Sequence, residues 1–209
     1  MASIKDLTAI ATLCLALGSC ANSRNTPHCI MSETSILKEG DIVMRRGTGV
    51  ASRAVTVADG GSDFSHCGIV VYHRGKPMIV HAVPDEPDFE GDVDRVKMES
   101  AERFFSSLNS SKGCVLRCNS RKVAQASANI AKEIFHRGIL FDHDYNDMDT
   151  TEMYCSELVV YAYKKAGKMI IDNERHDVNM PGLHFRHVIF PSDLLKSKEL
   201  KRIADFPRD

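Results

Sequence analysis

The 209-residue sequence lacks several features that would assign it to a specialised class. It has no basic excess and no acidic tail, since the net charge is −1 with 26% charged residues, so we expect no nucleic-acid partner. We find no internal repeats and no low-complexity runs. Its apolar run at residues 7–17 is too short for a membrane-spanning helix, which needs about 20 residues. These absences favour a globular domain preceded by a targeting segment.

The first 20 residues are typical of a signal peptide. Lys5 precedes the apolar run, and the run ends in Leu17-Gly18-Ser19-Cys20, which resembles the lipobox of bacterial lipoproteins. In such proteins cleavage precedes the cysteine and its sulfur is acylated. We therefore predict lipid attachment at Cys20 and a protein anchored to a membrane of the bacterial cell envelope, on the periplasmic side. An ordinary secretory signal, giving a secreted protein, and a poorly packed N-terminal helix are the other interpretations.

The remainder divides into a tether and one domain. Residues 21–35 are polar and contain Pro27, a composition typical of a linker. Residues 36–209 have the length of a single globular domain. We predict an α+β domain with a mainly antiparallel sheet, because strands and helices do not alternate regularly. The predicted strands are 41–45, 67–72, 76–81 and 114–118, and the predicted helices are 99–108, 122–136 and one beginning near Cys155.

Seven cysteines do not predict a disulfide framework. Five lie beyond the predicted signal and lipid site, an odd number. Cys114 and Cys118 are close in sequence, but two residues four apart on a straight strand are too distant to bond. The five are Cys29, Cys67, Cys114, Cys118 and Cys155.

Cys155 is predicted at the first turn of an amphipathic helix. Leu158, Val159 and Ala162 are spaced to line one face, and Gly167 provides a stop signal. At the start of a helix a thiol lies near unpaired backbone N–H groups, which lower its pKa below the free value of about 8.5. The pattern favours a reactive thiolate, although a small buried core residue would also fit.

Two histidines are candidate partners for this thiol. His66 begins a predicted strand, and His81 lies on the neighbouring strand of the same hairpin. Because the turn is short, the His66 end of one strand should lie beside the His81 end of the other. Cys155, His66 and His81 could then serve as nucleophile, base and orienting group. The same three side chains could also bind zinc.

The segment at residues 142–149 is rich in oxygen ligands. It begins like a calcium-binding EF-hand loop, but Asp147 stands where glycine is needed and Met153 where a glutamate belongs. We interpret it as a polar loop beside the Cys155 helix that lines the substrate groove. Asp144, Tyr145 and Tyr154 are the predicted substrate contacts, and no metal or other cofactor is expected.

Several motifs in order resemble the YiiX/YebB-like branch of NlpC-type cysteine hydrolases. The resemblance implies a circularly permuted papain-like fold with Cys155 as the nucleophile and His66 as the base. His81 falls where many members have a glutamate, so the third residue would lack a negative charge. The motifs are Asp41-Ile42-Val43, Ser65-His66-Cys67-Gly68-Ile69-Val70, Gly75-Lys76-Pro77, His81-Ala82, Tyr154-Cys155-Ser156-Glu157-Leu158-Val159 and Pro191-Ser192-Asp193-Leu194.

The resemblance implies a thiol hydrolase that cleaves an amide through an acyl-enzyme. We expect a cell-wall peptide or a related peptide amide as the substrate. An acylated lipid or peptide is the alternative, which would make the protein a lipid amidase or acyltransferase of the same fold. A catalytically inactive binding module is a third possibility, because His81 replaces the glutamate.

Overall fold

An eight-stranded sheet forms the centre of the fold in the computed structural model, which describes residues 26–172, 175–180 and 183–207. The strand order is β10-β5-β1-β2-β3-β4-β6-β7, and every neighbouring pair is antiparallel except β6 and β7. These strands are β1 Ile42–Gly47, β2 His66–His73, β3 Lys76–Val83, β4 Arg95–Ser100, β5 Ser110–Cys118, β6 Leu140–Phe141, β7 Glu152–Met153 and β10 Leu200–Phe206. The predicted α+β class with a mainly antiparallel sheet is confirmed.

Five α-helices and a separate two-stranded ribbon complete the part of the chain that the structure describes. The helices are α1 Val50–Ala58, α2 Ala101–Phe104, α3 Arg121–His136, α4 Cys155–Lys165 and α5 Pro191–Leu195. The ribbon pairs β8, His176–Met180, with β9, Leu183–Val188. Within these described ranges, no helix has both the length and the apolar character needed to cross a membrane.

The β2–β3 hairpin brings the two candidate histidines together. Its turn is only Arg74-Gly75, and both residues have positive φ (50° and 76°), as a two-residue type I′ turn requires. The pairing runs from His73 with Lys76 to Ile69 with Val80. The first residues of β2 therefore lie beside the last residues of β3.

The sheet is buried on both faces. Helices α3 and α4 pack on one face, against a core that includes Cys67, Ile69 and Val80. A smaller core covers the other face, where Val70 and Ile79 meet Phe104 and other residues near α2. Side chains of successive strand residues point to opposite faces, so β1, β2, β3 and β5 contribute to both cores.

Part of the segment predicted as a tether lies against the domain. The Ile30 N–H donates to the Phe105 carbonyl at 2.9 Å, and the Ser107 N–H donates to the His28 carbonyl at 2.7 Å. Met31 is buried. Within the predicted tether, the residues around 28–31 are therefore fixed to the domain, whereas residues 21–25, the signal peptide and Cys20 lie outside the described residues.

Candidate active site

Cys155 is the first residue of α4, as the sequence predicts. The preceding Tyr154 has extended backbone geometry, and its hydroxyl accepts a hydrogen bond from the Ile189 N–H at 2.9 Å. The Glu157 carboxyl accepts a hydrogen bond from the Tyr154 N–H at 3.3 Å. These two contacts fix the start of the helix, where the first backbone N–H groups have no partner within the helix. The Cys155 sulfur consequently lies at the positive end of the helix dipole.

His66 is the first residue of β2 and is buried. Its Nε2 lies 2.8 Å from Nδ1 of His81, which is fully buried on β3. Gly68 permits this approach, because a Cβ at that position would lie 3.0 Å from the His81 Cβ and 2.9 Å from the Val80 carbonyl oxygen. The structure therefore brings His66 and His81 together, as the sequence predicts.

The environment of Cys155 favours a thiolate. A hydrogen bond from Cys67 lowers the pKa of the Cys155 thiol well below its ordinary value, against the opposing effect of burial. The positive charge of His66 and a hydrogen bond from its ring lower this pKa further. The thiolate thus interacts electrostatically with the His66 imidazole, as a thiol nucleophile and its base require.

Cys67 is a member of the site that the sequence interpretation did not include. Burial raises the pKa of the Cys67 thiol well above its ordinary value, so this thiol stays protonated and can donate to Cys155. The Ser156 hydroxyl lies 3.7 Å from the Cys67 sulfur and 3.8 Å from the Cys155 sulfur. The position of Cys67 directly after His66 carries no sequence signal for this role.

His81 is neutral in this site. Burial lowers the pKa of His81 well below its ordinary value, and the positive charges of His66 and Arg45 lower it further. Arg45 pairs with Glu86 and donates a second hydrogen bond to the Phe104 carbonyl at 3.0 Å. A neutral imidazole can donate at one nitrogen and accept at the other, so His81 can accept a hydrogen bond from His66.

A cavity of about 270 Å³ opens at Cys155. Its walls come from α1, the hairpin, the segment from β6 to α4, and the ribbon with the residues that follow it. Among the described residues in its lining, the charged side chains are Arg45, Glu86 and the catalytic pair of Cys155 and His66. Apolar residues in its lining include Ala54, Val55, Val83, Phe141, Val178, Phe185, Val188 and Phe190.

Two of the three predicted substrate contacts line this cavity. Tyr145 and Tyr154 form part of its wall, and their rings are 5.4 Å apart. Asp144 is exposed and is not among the lining residues. The reason is local, because its backbone N–H donates to Asp142 Oδ1 at 2.8 Å in a turn that buries Asp142 instead. The structure therefore does not support Asp144 as a substrate contact.

The fold and this site together define a class of protein. A cysteine at the start of a helix, packed against a mainly antiparallel sheet that supplies its histidine, is the arrangement of papain-like thiol hydrolases. His66 precedes Cys155 in the chain, in the permuted order that the resemblance implies.

The chain belongs to the family described as permuted papain-like amidase enzyme, YaeF/YiiX, C92 family, whose model matches residues 36–204. It is thereby an amidase-type hydrolase of the papain-like class. Among solved structures, it is similar to the metalloprotein yiiX from Escherichia coli O157:H7, with 22% identity and a TM-score of 0.60 over 80% of this chain and 96% of that chain. This likeness confirms the fold. No curated protein matches the sequence.

Proposed function

We propose that the protein is a thiol-dependent amidase that hydrolyses an amide of an apolar acyl group. The observation that carries this proposal is the apolar cavity at the Cys155 sulfur, described above. An acyl chain gains about 0.8 kcal/mol for each methylene that it buries. The cavity offers such a chain a site beside the nucleophile, so the carbonyl carbon would be held where the sulfur can attack it.

Acylation uses the Cys155–His66 pair. The Cys155 thiolate attacks the carbonyl carbon, and the Cys155 N–H at the start of α4 is positioned to donate to the developing oxyanion. The C–N bond then breaks, and the His66 imidazolium gives its proton to the leaving amine. The products of this step are the free amine and a thioester on Cys155.

Deacylation uses the same residues in reverse order. His66, now neutral, takes a proton from a water molecule as the water oxygen attacks the thioester carbonyl. The C–S bond breaks, the carboxylic acid leaves, and the Cys155 thiolate and the His66 imidazolium are restored. An amine or alcohol that replaced water would give acyl transfer, so the same site supports the transferase alternative.

The cell-wall peptide expected from the resemblance is the less favoured substrate. Peptides of this kind carry several charged groups, whereas the described lining of the cavity offers, besides the catalytic residues, one ion pair, Arg45–Glu86, and the hydroxyls of serine and tyrosine side chains. Burying unpaired polar groups of a substrate costs free energy. A substrate whose buried part is a hydrocarbon chain avoids that cost.

The relative from Escherichia coli is described as a metalloprotein, so a metal at the corresponding site of this chain must be considered. The residues present do not fit one. Within residues 26–172, 175–180 and 183–207, no group of three or more His, Cys, Asp or Glu side chains is arranged to bind a metal ion. His66 and His81 are hydrogen-bonded to each other at 2.8 Å, which occupies the two nitrogens that a shared metal would need.

A substrate series tests the proposal. We would incubate residues 21–209 with anilides whose acyl chains lengthen from two to ten carbons, and with purified muropeptides, and detect the acyl-enzyme by mass spectrometry. Each added methylene should raise kcat/KM by about fourfold until the cavity is full. The adduct should be on Cys155 and absent in Cys155→Ala. Cleavage of muropeptides with no response to chain length would overturn the acyl preference in favour of the peptide substrate.

The lipid anchor is a second proposal and rests on the sequence alone. We propose that Cys20 is acylated and holds the domain at an envelope membrane. Expression of the full chain in a bacterium supplied with a radiolabelled fatty acid should give a labelled protein in the membrane fraction. Cys20→Ser should abolish the label, whereas Cys29→Ser should not. Unlabelled, soluble wild-type protein would contradict the proposal.

A further inference from the structure

Glu99 contacts the far side of His81. It lies on β4, where it pairs with Ile79 in the register, and Lys97 pairs with His81. Glu99 and His81 are therefore diagonal neighbours on one face of the sheet. Glu99 Oε1 is 3.2 Å from His81 Nε2, and its side chain is only 5% exposed. His81 consequently stands between two groups, with His66 at its Nδ1 and Glu99 at its Nε2.

This placement selects one tautomer of His81. A neutral imidazole carries a single N–H. With the proton on Nδ1, the Nε2 lone pair would face a carboxylate oxygen at 3.2 Å, and both histidines would present protons to each other whenever His66 is charged. With the proton on Nε2, His81 donates toward Glu99 and accepts from the His66 Nε2–H. That arrangement leaves Nδ1 of His66 to act on the Cys155 sulfur.

Among the described residues, His81 Nε2 and both Glu99 oxygens have no partner with hydrogen-bond geometry. The 3.2 Å contact between His81 Nε2 and Glu99 Oε1 is therefore an ion-pair distance without hydrogen-bond alignment. The second oxygen of Glu99 forms an ion pair with Arg103 at 3.0 Å, which holds the carboxylate in place. The Glu99 carboxylate is buried, and one of its oxygens is paired with Arg103. Its other oxygen faces the His81 ring, where it can accept the proton of a ring N–H.

The pKa of the Glu99 carboxyl is raised above its ordinary value, and the surrounding cations offset part of that rise. Burial raises the pKa of the Glu99 carboxyl, and the positive charges of Arg45, Arg103 and Lys97 counteract that rise. The charged and titratable groups that face Glu99 or His81 are Arg45 on β1, His66 on β2, Lys97 on β4, Arg103 in α2 and Glu86 in the segment between β3 and β4. Glu86 is itself paired with Arg45, so Glu99 is the carboxylate of this group that contacts the hydrogen-bonded pair of His81 and His66.

We propose that Glu99 is a positioning residue that supplies, through His81, the negative charge missing from the third position of the site. Glu99 fixes the tautomer and orientation of the His81 ring, and His81 in turn orients the His66 ring through their hydrogen bond. The proposal rests on the proposed thiol chemistry, but not on any particular substrate. It gives a physical reason why a neutral histidine can replace a glutamate next to the base.

The first test uses Glu99→Gln and the pH dependence of Cys155 alkylation by iodoacetamide. Without the anion the His66 imidazolium is less stable, so alkylation at pH 6 should slow by about ten- to hundredfold, by analogy with the loss seen when the partner that orients a metal-binding histidine is removed. At pH 9, where thiols ionise without help, the rates should converge. The matched control is Glu102→Gln, an exposed glutamate on α2. A slowing that is equal at pH 6 and pH 9 would show structural damage and overturn the proposal.

The second test asks whether Glu99 acts through His81. In His81→Glu a carboxylate faces His66 directly, so adding Glu99→Gln should change the alkylation rate at pH 6 by less than about twofold. If Glu99→Gln slows alkylation equally in both backgrounds, Glu99 does not act through His81 and the proposal fails.

A third measurement uses the unaltered protein and so does not depend on the folding of any variant. ¹⁵N NMR of histidine-labelled protein at pH 7 should find the proton of His81 on Nε2. A proton on Nδ1 would overturn the proposal. Neither alkylation nor NMR requires turnover, so a failure of the amidase proposal would be seen separately, as a lack of acyl-enzyme in the substrate series.

Discussion

The Cys67 sulfur lies 3.7 Å and the Cys155 sulfur 3.8 Å from the Ser156 hydroxyl, and the pKa values of these two cysteines shift in opposite directions. Burial on the helix-covered face of the sheet raises the pKa of Cys67, while the hydrogen bond from Cys67 and the charge of His66 lower the pKa of Cys155. The unequal environments decide which sulfur is the nucleophile. Cys67 therefore contributes to the reactivity of Cys155 without contacting the substrate.

Replacing Cys67 by alanine should make Cys155 less reactive. Because a hydrogen bond to a charged group contributes about 1.5–3 kcal/mol, iodoacetamide should alkylate Cys155 about tenfold more slowly at pH 6 in Cys67→Ala. Mass spectrometry of the labelled peptide gives the rate. Cys114→Ala is the matched control, since Cys114 is equally buried on the same face but is not a partner of Cys155. Equal rates in wild type and Cys67→Ala would refute this role.

Replacing His66 by asparagine should remove the general base. We expect kcat/KM for the best acyl amide to fall by about 10²- to 10⁴-fold, the usual contribution of acid–base catalysis. His73→Asn is the control, because His73 is an exposed residue at the other end of the same strand. The assay is release of the amine from the substrate. Retention of near wild-type turnover in His66→Asn would show that another group is the base.

Replacing Gly68 by alanine should separate the two histidines. The new Cβ would lie 2.7 Å from Ile79 Cγ2 and 3.0 Å from the His81 Cβ, so β3 must move away. Overpacking of this kind costs about 1–3 kcal/mol of stability, and Cys155 alkylation at pH 6 should slow as well. Gly49→Ala is the control, since Gly49 has φ −75° and nothing lies within 4 Å of its added Cβ. Denaturant unfolding and alkylation provide the two readouts.

Glu157 should make the protein less stable as the pH rises. Burial raises the pKa of the Glu157 carboxyl to about 9, so folding favours its protonated form. The resulting stabilisation is complete below its unfolded pKa, which is near 4.3, and is lost as the pH rises through about 9. Glu157→Gln keeps a neutral side chain, so at pH 8 its Tm should exceed that of the wild type by about 2–4 °C, with a smaller difference at pH 5.

Thermal melts at both pH values check this prediction, with Glu152→Gln as an exposed control. The opposite result would be that Glu157→Gln melts below the wild type at pH 8 and compares better with it at pH 5. That result would mean that the ionised carboxylate caps α4.

The reactive centre could be predicted from the sequence because its signals are local. A cysteine before an amphipathic helix and two histidines at the paired ends of a short hairpin are set by spacing and turn length. The structure extends the predicted hairpin strands by one or two residues at their ends. The grouping of Cys155, His66 and His81 needed only the assumption that this helix packs against the hairpin.

Glu99 could not be placed correctly because β4 does not follow the usual strand pattern. The sequence predicts a helix over residues 99–108, whereas Glu99 lies in a strand and only Ala101–Phe104 is helical. In a sheet with one face in water, the charged residues of a strand would be exposed. Here Lys97 and Glu99 are buried in the charged group near His81. Such inward-facing charges depend on partners on other strands, which one segment cannot reveal.

The sequence also gives no signal for the ribbon of β8 and β9, for a related reason. His176, His184 and His187 lie in this segment, which is polar and contains asparagine, a composition typical of a surface loop. In the structure Val178 and Val188 of the ribbon are buried and line the cavity. Two isolated valines gave no periodic signal, because the ribbon packs on the cavity rather than joining the main sheet.

The hydrogen bonds of His28 and Ile30 to the residues after α2 fix the point at which the chain joins the domain, and so limit the distance between Cys20 and the domain. If Cys20 bears a lipid, eight peptide units join it to His28, and a fully extended chain of that length reaches less than about 30 Å. The catalytic domain would then be confined to a thin layer of solvent at the bilayer surface. Amphiphiles that partition into the same layer would meet it at a high local concentration, while solutes free in the bulk would gain nothing. The short connection to the membrane would thus favour substrates located at the bilayer surface, and the cavity would then select among them by shape.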